Sequence, residues 1–247
     1  MSNKVAVVTG AGRGLGLAIA DDLAARGVRV VLAGRSSEHL ESAAAGITAA
    51  GGTAVAVPTD VTDADSVTHL FATANEAFGR VDVLVNNAGI TTQVNVVDLD
   101  ETEWDRVFDT NVRGMFLCTR AAGRLFAEAR SGRVVNVASV FGLLGRPGFS
   151  AYCASKGAVI NFTRSVASEW SRFGAQVNAV APGYISTDIN AAMRADEALM
   201  ARVLQRIPAR RMGEPAELAN VVGYLALDAP DFLTGQTVVL DGGESSV

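Results

Sequence analysis

The chain has 247 residues, 49% of them apolar and 19% charged, with a formal net charge of −5. That length suits one α/β domain or two small ones with a sizeable core, and the composition excludes a disordered or low-complexity chain. The acidic balance gives no electrostatic case for nucleic acid or an anionic membrane as partner. Cys118 and Cys153 are too few and too isolated for a disulfide framework, which fits a reducing compartment. Met1 to Lys4 lead straight into a strand-like run without a signal-type leader, and no apolar run is long enough to span a bilayer. A soluble, cytoplasmic protein is expected.

The first predicted strand is Lys4 to Thr9, a short β-branched run. Gly10–Ala–Gly–Arg13–Gly14–Leu15–Gly16 follows, then a helical pattern from Leu17 to Arg26. Strand, glycine-rich turn and helix form the context of a dinucleotide site, where the helix N-terminus faces a pyrophosphate. The spacing here is G-x-x-x-G-x-G rather than the commoner G-x-G-x-x-G. A second strand, Val28 to Ala33, ends in Gly34–Arg35–Ser36. An acid at this end would bind a ribose 2′-hydroxyl, whereas an arginine accommodates a 2′-phosphate. The acid is absent, so Arg35 and Arg13 either converge on a phosphate or are two solvated arginines. Ser37 to Ala50 reads as a helix and Thr53 to Val57 as a third strand, interrupted by Pro58. Asp60 and Val61 come next, and Asp60 is either a ligand contact at a strand end or an ordinary turn residue.

Asp63 suits the N-cap of a helix through Phe78, with Val67, Leu70, Phe71, Ala74 and Phe78 on one stripe. Val81 to Val85 is a fourth strand, terminated by Asn86–Asn87–Ala88–Gly89, whose small residues and amides suit close approach to a cofactor or merely a turn. Glu101 to Ala129 reads as one long helix in which Asn111 is a poor helix former, a local mismatch that flags function. Strand five, Arg133 to Ala138, runs into Ser139, and a helix spans Ala151 to Phe173. Strand six is Gln176 to Val180, a helix runs from Pro215 through Leu227, and strand seven lies within Gly235 to Gly243. Between them, 184–212 shows no strand pattern and holds short helices at Asn190–Arg194 and Glu197–Ile207, a natural substrate lid. Alternating strands and helices imply a parallel sheet covered on both faces: an α/β Rossmann fold, doubly wound, of about seven strands, in a single domain 1–247.

The chemistry points to Ser139, Tyr152 and Lys156, unless the tyrosine and lysine merely share a surface helix by chance. Tyr152 and Lys156 are four apart on one helix face, and a nearby ammonium lowers the pKa of a phenol toward neutrality. Ser139, at a strand's C-terminal end, is placed to donate a hydrogen bond to a carbonyl oxygen that Tyr152 protonates. No metal-ligand cluster is visible. His39 and His69 lie on predicted helices away from this site.

These residues resemble the short-chain dehydrogenase/reductase family in its classical form, over nearly the whole chain. Thr9–Gly–Ala–Gly–Arg–Gly–Leu–Gly16 is similar to that family's T-G-x-x-x-G-x-G turn, and Asn86–Asn–Ala–Gly89 to its N-N-A-G segment. Asn111, Ser139, Tyr152 and Lys156 fall on its catalytic four in order. The resemblance implies hydride exchange between a nicotinamide cofactor and a carbonyl or secondary alcohol. Tyr152 would be general acid or base, Lys156 would tune it and hold the nicotinamide ribose, Ser139 would orient substrate, and Asn111 would fix a relay water. The cofactor would meet Gly10, Arg13, Gly14, Leu15 and Gly16 at its pyrophosphate, Arg35 at a 2′-phosphate, and Asp60 and Val61 at its adenine. Asn87, Ala88 and Gly89 would line the adenine-ribose side, and Pro182, Gly183, Ile185 and Thr187 the nicotinamide. NADP is the expected cofactor, with NAD as the other choice.

Leu144–Gly–Arg146–Pro147 and Gly183 to Thr187 resemble the gluconate 5-dehydrogenase-like branch, in which Arg146 would contact a sugar-acid carboxylate or else face solvent. A 3-oxoacyl-carrier-protein reductase shares nearly every motif; Arg120, Arg124 and Arg130 on one helix would dock its acidic partner or form a solvated face. A cofactor-binding regulatory protein without catalysis is the third class, against which the complete Asn–Ser–Tyr–Lys set argues. The resemblance also implies a homotetramer, assembled through the helices of Asn111 and Tyr152 and through the last helix and strand.

Overall fold

In the computed structural model, residues 3–187 and 190–246 are described; positions 188 and 189, inside the expected lid, and 247 lie outside them. Seven strands form one sheet in the order β3-β2-β1-β4-β5-β6-β7, every pairing parallel. They are β1 Val5–Thr9, β2 Arg29–Gly34, β3 Thr53–Pro58, β4 Val83–Asn86, β5 Gly132–Val137, β6 Ala175–Pro182 and β7 Thr237–Leu240. Val7 stands opposite Val31 on one side and Leu84 on the other. Side chains alternate across a strand, so each face must find its own cover. Ala6 and Val8 pack with Ile19, Leu23, Leu218 and Val222 on one face. Val5 and Val7 pack with Leu70, Phe126 and Val177 on the other. This is the Rossmann-like α/β fold anticipated from the alternating pattern.

The helices are α1 Gly14–Ala25, α2 Ser37–Ala49, α3 Ala64–Phe78, α4 Glu101–Phe108, α5 Met115–Ala129, α6 Ser150–Trp170, α7 Ala191–Ala195, α8 Glu197–Arg206 and α9 Pro215–Gly223. Asp63 caps α3 as its position suggests, accepting from the amides of Asp65 and Ser66 at 3.2 Å each. Strand three runs one residue past its expected end, through Pro58. Because β3 pairs only with β2, it is an edge, where a missing amide proton is tolerated.

The single helix expected over 101–129 is interrupted. Between α4 and α5, Asp109–Gly114 forms a six-residue π-helical segment, with Asn111 inside it. Such i→i+5 turns are rare and cluster at functional sites, which accounts for the poor helix former at that position.

A buried polar chain crosses the sheet behind the strand ends. Asn86 donates to Thr119 on α5 at 3.0 Å and to Asn136 on β5 at 2.8 Å, and Asn136 donates to Thr163 on α6 at 2.9 Å. It joins the two central strands to the helices carrying Asn111's segment and Tyr152. Among the described residues no helix is long and apolar enough to cross a membrane.

Candidate active site

The strand order reverses between β1 and β4, and in open α/β sheets the crevice at such a point, beyond the strands' C-terminal ends, takes the ligand. Two segments close over it. Gly10 and Gly14 adopt φ of +65° and +58°, and a Cβ on Gly16 would lie 2.1 Å from the Gly10 carbonyl oxygen. The turn is therefore wound as tightly as backbone allows. Asn87 holds it there, donating through its amide nitrogen to the carbonyls of Thr9 at 2.9 Å and Gly10 at 3.2 Å. The backbone amides of Asn87 and Ala88 both donate to the Thr9 hydroxyl at 3.0 Å. Thr9 is thus the post on which the two segments meet, a role its place at a strand end did not reveal.

The second cluster lies at the ends of β4 and β5. Ser139, 7% exposed, accepts from the amide of Phe141 at 3.2 Å. Its hydroxyl also stands close enough to Tyr152 to draw that phenol's pKa downward. Lys156, 4% exposed, donates to the Val137 carbonyl at 2.7 Å, and its Nζ lies 5.7 Å from the centre of the Tyr152 ring. Asn111 accepts from the Ile90 amide at 2.8 Å and donates to the Ile90 carbonyl at 2.9 Å and to Ser155 at 3.0 Å. Ser155 in turn donates to the Tyr152 carbonyl at 2.8 Å. A methyl on Gly89 would come within 3.2 Å of Asn111 Oδ1 and 3.4 Å of Lys156 Nζ, so Gly89 leaves these two groups room. The sequence pointed to Asn111, Ser139, Tyr152, Lys156 and Gly89, and the fold brings all five together. It missed Ile90 and Ser155, which carry no signal beyond Ser155 standing three residues after Tyr152.

One electrostatic expectation is reversed. Spacing suggested that Lys156 would depress the Tyr152 phenol, but burial raises Tyr152 above its ordinary value, with the Ser139 hydroxyl pulling the other way. The Lys156 side chain reaches past the ring to a backbone carbonyl instead. Burial also lowers Lys156 itself, to about 8. Its unfolded form then binds more protons than its folded form between about pH 8 and 10.5, so its contribution to stability rises with pH across that window. The penalty of burying the ammonium is fully present below pH 8. We expect the unfolding free energy of the wild type, minus that of Lys156→Met, to rise by on the order of 2 kcal/mol between pH 7 and pH 9.5. Denaturant titrations at the two pH values measure it, and an unchanged difference means the amine titrates at its usual value.

The other predicted contacts fall around this centre. Arg13 and Arg35 are exposed, beside the glycine turn and after β2. Asp60 is mainly engaged with its own turn, accepting from the amide and hydroxyl of Thr62 at 2.9 and 2.8 Å. Those bonds hold its carboxyl below the usual range, with Arg35 adding to the effect. Val61 is buried, close against Gly114 of the π segment. Pro182 ends β6, Gly183 donates to the Leu240 carbonyl at 2.9 Å, Ile185 is buried, and Thr187 donates to Asn190 at 3.1 Å. His39, expected away from the site, lies beside the glycine turn: a Cβ on Gly12 would be 3.0 Å from that of His39. Helix α2 starts directly after β2, and its first turn swings back over the loop. Arg146 is neither solvated nor free for a carboxylate, because it pairs with Glu244. Among the described residues no group of three or more His, Cys, Asp or Glu side chains is placed to hold a metal ion.

A sheet reversal crossed by a glycine turn, with a Ser–Tyr–Lys–Asn cluster beside it, is the arrangement of a nicotinamide-dependent oxidoreductase. The family described as enoyl-(acyl carrier protein) reductase matches residues 10–245, and the chain belongs to the short-chain dehydrogenase/reductase family of oxidoreductases. It is 44% identical to a 3-oxoacyl-[acyl-carrier-protein] reductase of Synechocystis over 98% of this chain and 97% of that one. It is 40% identical to gluconate 5-dehydrogenase of Gluconobacter oxydans over 98% and 95%. A solved structure of a proposed 2-deoxy-D-gluconate 3-dehydrogenase from Agrobacterium tumefaciens with bound NADP superposes with a TM-score of 0.93, at 37% identity, covering 100% of this chain and 98% of that one.

Proposed function

We propose that the chain is an NADP-preferring oxidoreductase for a small polar carbonyl or secondary alcohol of the sugar-acid type. The observation that carries the chemistry is the gathering of Ser139, Tyr152, Lys156 and Asn111 at the strand ends, with Lys156 Nζ 5.7 Å from the centre of the Tyr152 ring. The residues fit a dinucleotide: the N-cap of α1 is Arg13, which supplies no side-chain oxygen to the helix amides, and the turn is bare of side chains at Gly14 and Gly16. Bound there, NADP supplies the hydride acceptor or donor. Ser139 orients the substrate oxygen, and Tyr152 gives or takes its proton. Lys156 would hold the nicotinamide ribose, and Asn111 would fix a water in a proton relay behind it. Gly10, Gly14, Leu15 and Gly16 form the pyrophosphate turn, and Asp60 and Val61 the adenine side. Asn87 to Gly89 line its ribose, and Pro182, Gly183, Ile185 and Thr187 the nicotinamide. The whole chain acts as one catalytic domain with α7 and α8 as its lid, in the cytoplasm, as a homotetramer.

The sugar-acid reading draws support from gluconate 5-dehydrogenase among its relatives. The 3-oxoacyl-[acyl-carrier-protein] reductase relative supports a second reading, to which the exposed Arg120 and Arg124 on α5 and Arg130 just past its end would contribute a docking surface. A panel of sugar acids, diketones and 3-oxoacyl thioesters, followed by cofactor absorbance, separates the two. Fastest turnover of the thioesters overturns the first reading, and no turnover of any leaves a regulatory protein.

For the cofactor, neither Arg13 nor Arg35 is taken by a salt bridge among the described residues, and each charge-assisted contact to a 2′-phosphate is worth about 1.5–3 kcal/mol. A Cβ on Gly34 meets Leu40 at an ordinary 3.5 Å, so an acid fits there. Gly34→Asp with Arg35→Ala should therefore lower the kcat/KM ratio of NADPH over NADH roughly 10- to 100-fold. A wild type already faster with NADH would refute the arginine argument.

A further inference from the structure

Arg146 and Glu244 are 98 positions apart and meet through Nη2 and Oε1. Both are withdrawn from water, with side chains 16% and 3% exposed. Glu244 opens a short 3-10 turn, Glu244–Ser246, and Asp241 braces it by accepting from the amides of Gly243 at 2.9 Å and Ser245 at 2.7 Å. The Arg146 guanidinium lies 4.9 Å over the ring of Phe141. That same ring meets Tyr152 edge-on at 6.3 Å and Tyr184 at 5.9 Å. The pair therefore stands one aromatic ring from the proton-transferring phenol.

An arginine and a carboxylate commonly close with two parallel hydrogen bonds. Here one is made. Among the described residues, Arg146 Nε and Glu244 Oε2 are buried and have no hydrogen-bond partner, which is unusual for charged side chains. One is a donor and the other an acceptor. A hydroxyl answers both, donating its proton to a carboxylate while accepting from a guanidinium, as a water in its place would. A carboxylate offers acceptors alone and would face the charge of Glu244; an acyl chain offers neither.

We propose that Arg146 and Glu244 are specificity-determining residues that recognise a substrate hydroxyl, so that the substrate is a polyhydroxylated carbonyl compound or alcohol. This rests on the sugar-type reading above and refines it: the hydroxyls, rather than the carboxylate, face Arg146.

The test compares kcat/KM of the full chain with NADP for D-gluconate, D-sorbitol and xylitol against cyclohexanol, whose one hydroxyl is the reacting one. Replacing both partners by apolar residues leaves no unpaired charge and generally preserves folding. Arg146→Met with Glu244→Leu should lower the ratio of the best polyol over cyclohexanol at least tenfold, chiefly through KM. Glu244→Gln, which keeps the shape, should lower it at least threefold. Smaller changes in both variants, with the wild type oxidising polyols, overturn the inference and leave the sugar-type reading standing. A wild type that oxidises none of the three polyols and reduces 3-oxoacyl thioesters overturns both.

Discussion

Tyr152→Phe should lower turnover by about 10²–10⁴-fold, the usual worth of a positioned general acid or base, while cofactor affinity changes little. The substitution removes one oxygen and leaves the ring, so the edge-on contact with Phe141 persists. What is lost is the proton that Ser139's partner would pass to the substrate oxygen. Because that group is needed in the transition state, the loss belongs in kcat. Steady-state rates with any accepted substrate, beside a fluorescence titration of NADPH, measure both halves. A loss under tenfold would remove Tyr152 from the proton transfer.

Gly16→Ala should abolish dinucleotide binding and destabilise the fold together. Its methyl would sit 2.1 Å from the Gly10 carbonyl oxygen and 2.5 Å from the Asn87 side-chain nitrogen. Neither can retreat freely, since Asn87 is bonded to the Thr9 and Gly10 carbonyls that define the turn. Overpacking of this kind costs about 1–3 kcal/mol or more, a fall of several degrees in Tm for a chain of this length. We expect the NADPH Kd to rise at least about 100-fold, since the same shift moves the turn off its phosphate. Gly14→Ala is the control. Nothing stands within 4 Å of a Cβ there, so only the strain of a positive φ, about 1–2 kcal/mol, remains. Calorimetry on both variants decides it: equal effects would mean that conformation rather than crowding governs the turn.

Much of this was legible in the sequence because it is local. The β-branched runs gave the strands, Asp63 its helix start, the glycines their turn, and Asn111 its misfit in an otherwise regular helix. What stayed hidden depends on where a side chain ends rather than where it begins. Tyr152 and Lys156 do share a helix face, yet the lysine's four-carbon stem carries its ammonium past the phenol to Val137, 19 residues back. The partners of Asn111 at Ile90 and Ser155 are 21 and 44 residues away. His39 reads as a surface helix position until α2 is seen folding back on Gly12. The loop arginine Arg146 is matched by a glutamate close to the other end of the chain.

The wide turn at Asp109–Gly114 has a geometric consequence for the helices on either side. In a regular α-helix every residue advances the azimuth by about 100°, so the two ends of a long helix are locked in phase. An i→i+5 turn carries one residue more than an i→i+4 turn and breaks that lock. Deleting a residue from the segment would restore a regular helix and swing α4 by about 100° about its axis relative to α5. The stacked Trp104–Phe108 pair and the buried Val107 would then point elsewhere, although no contact of α5 had been touched. The azimuth of α4 is thus set by a single surplus residue.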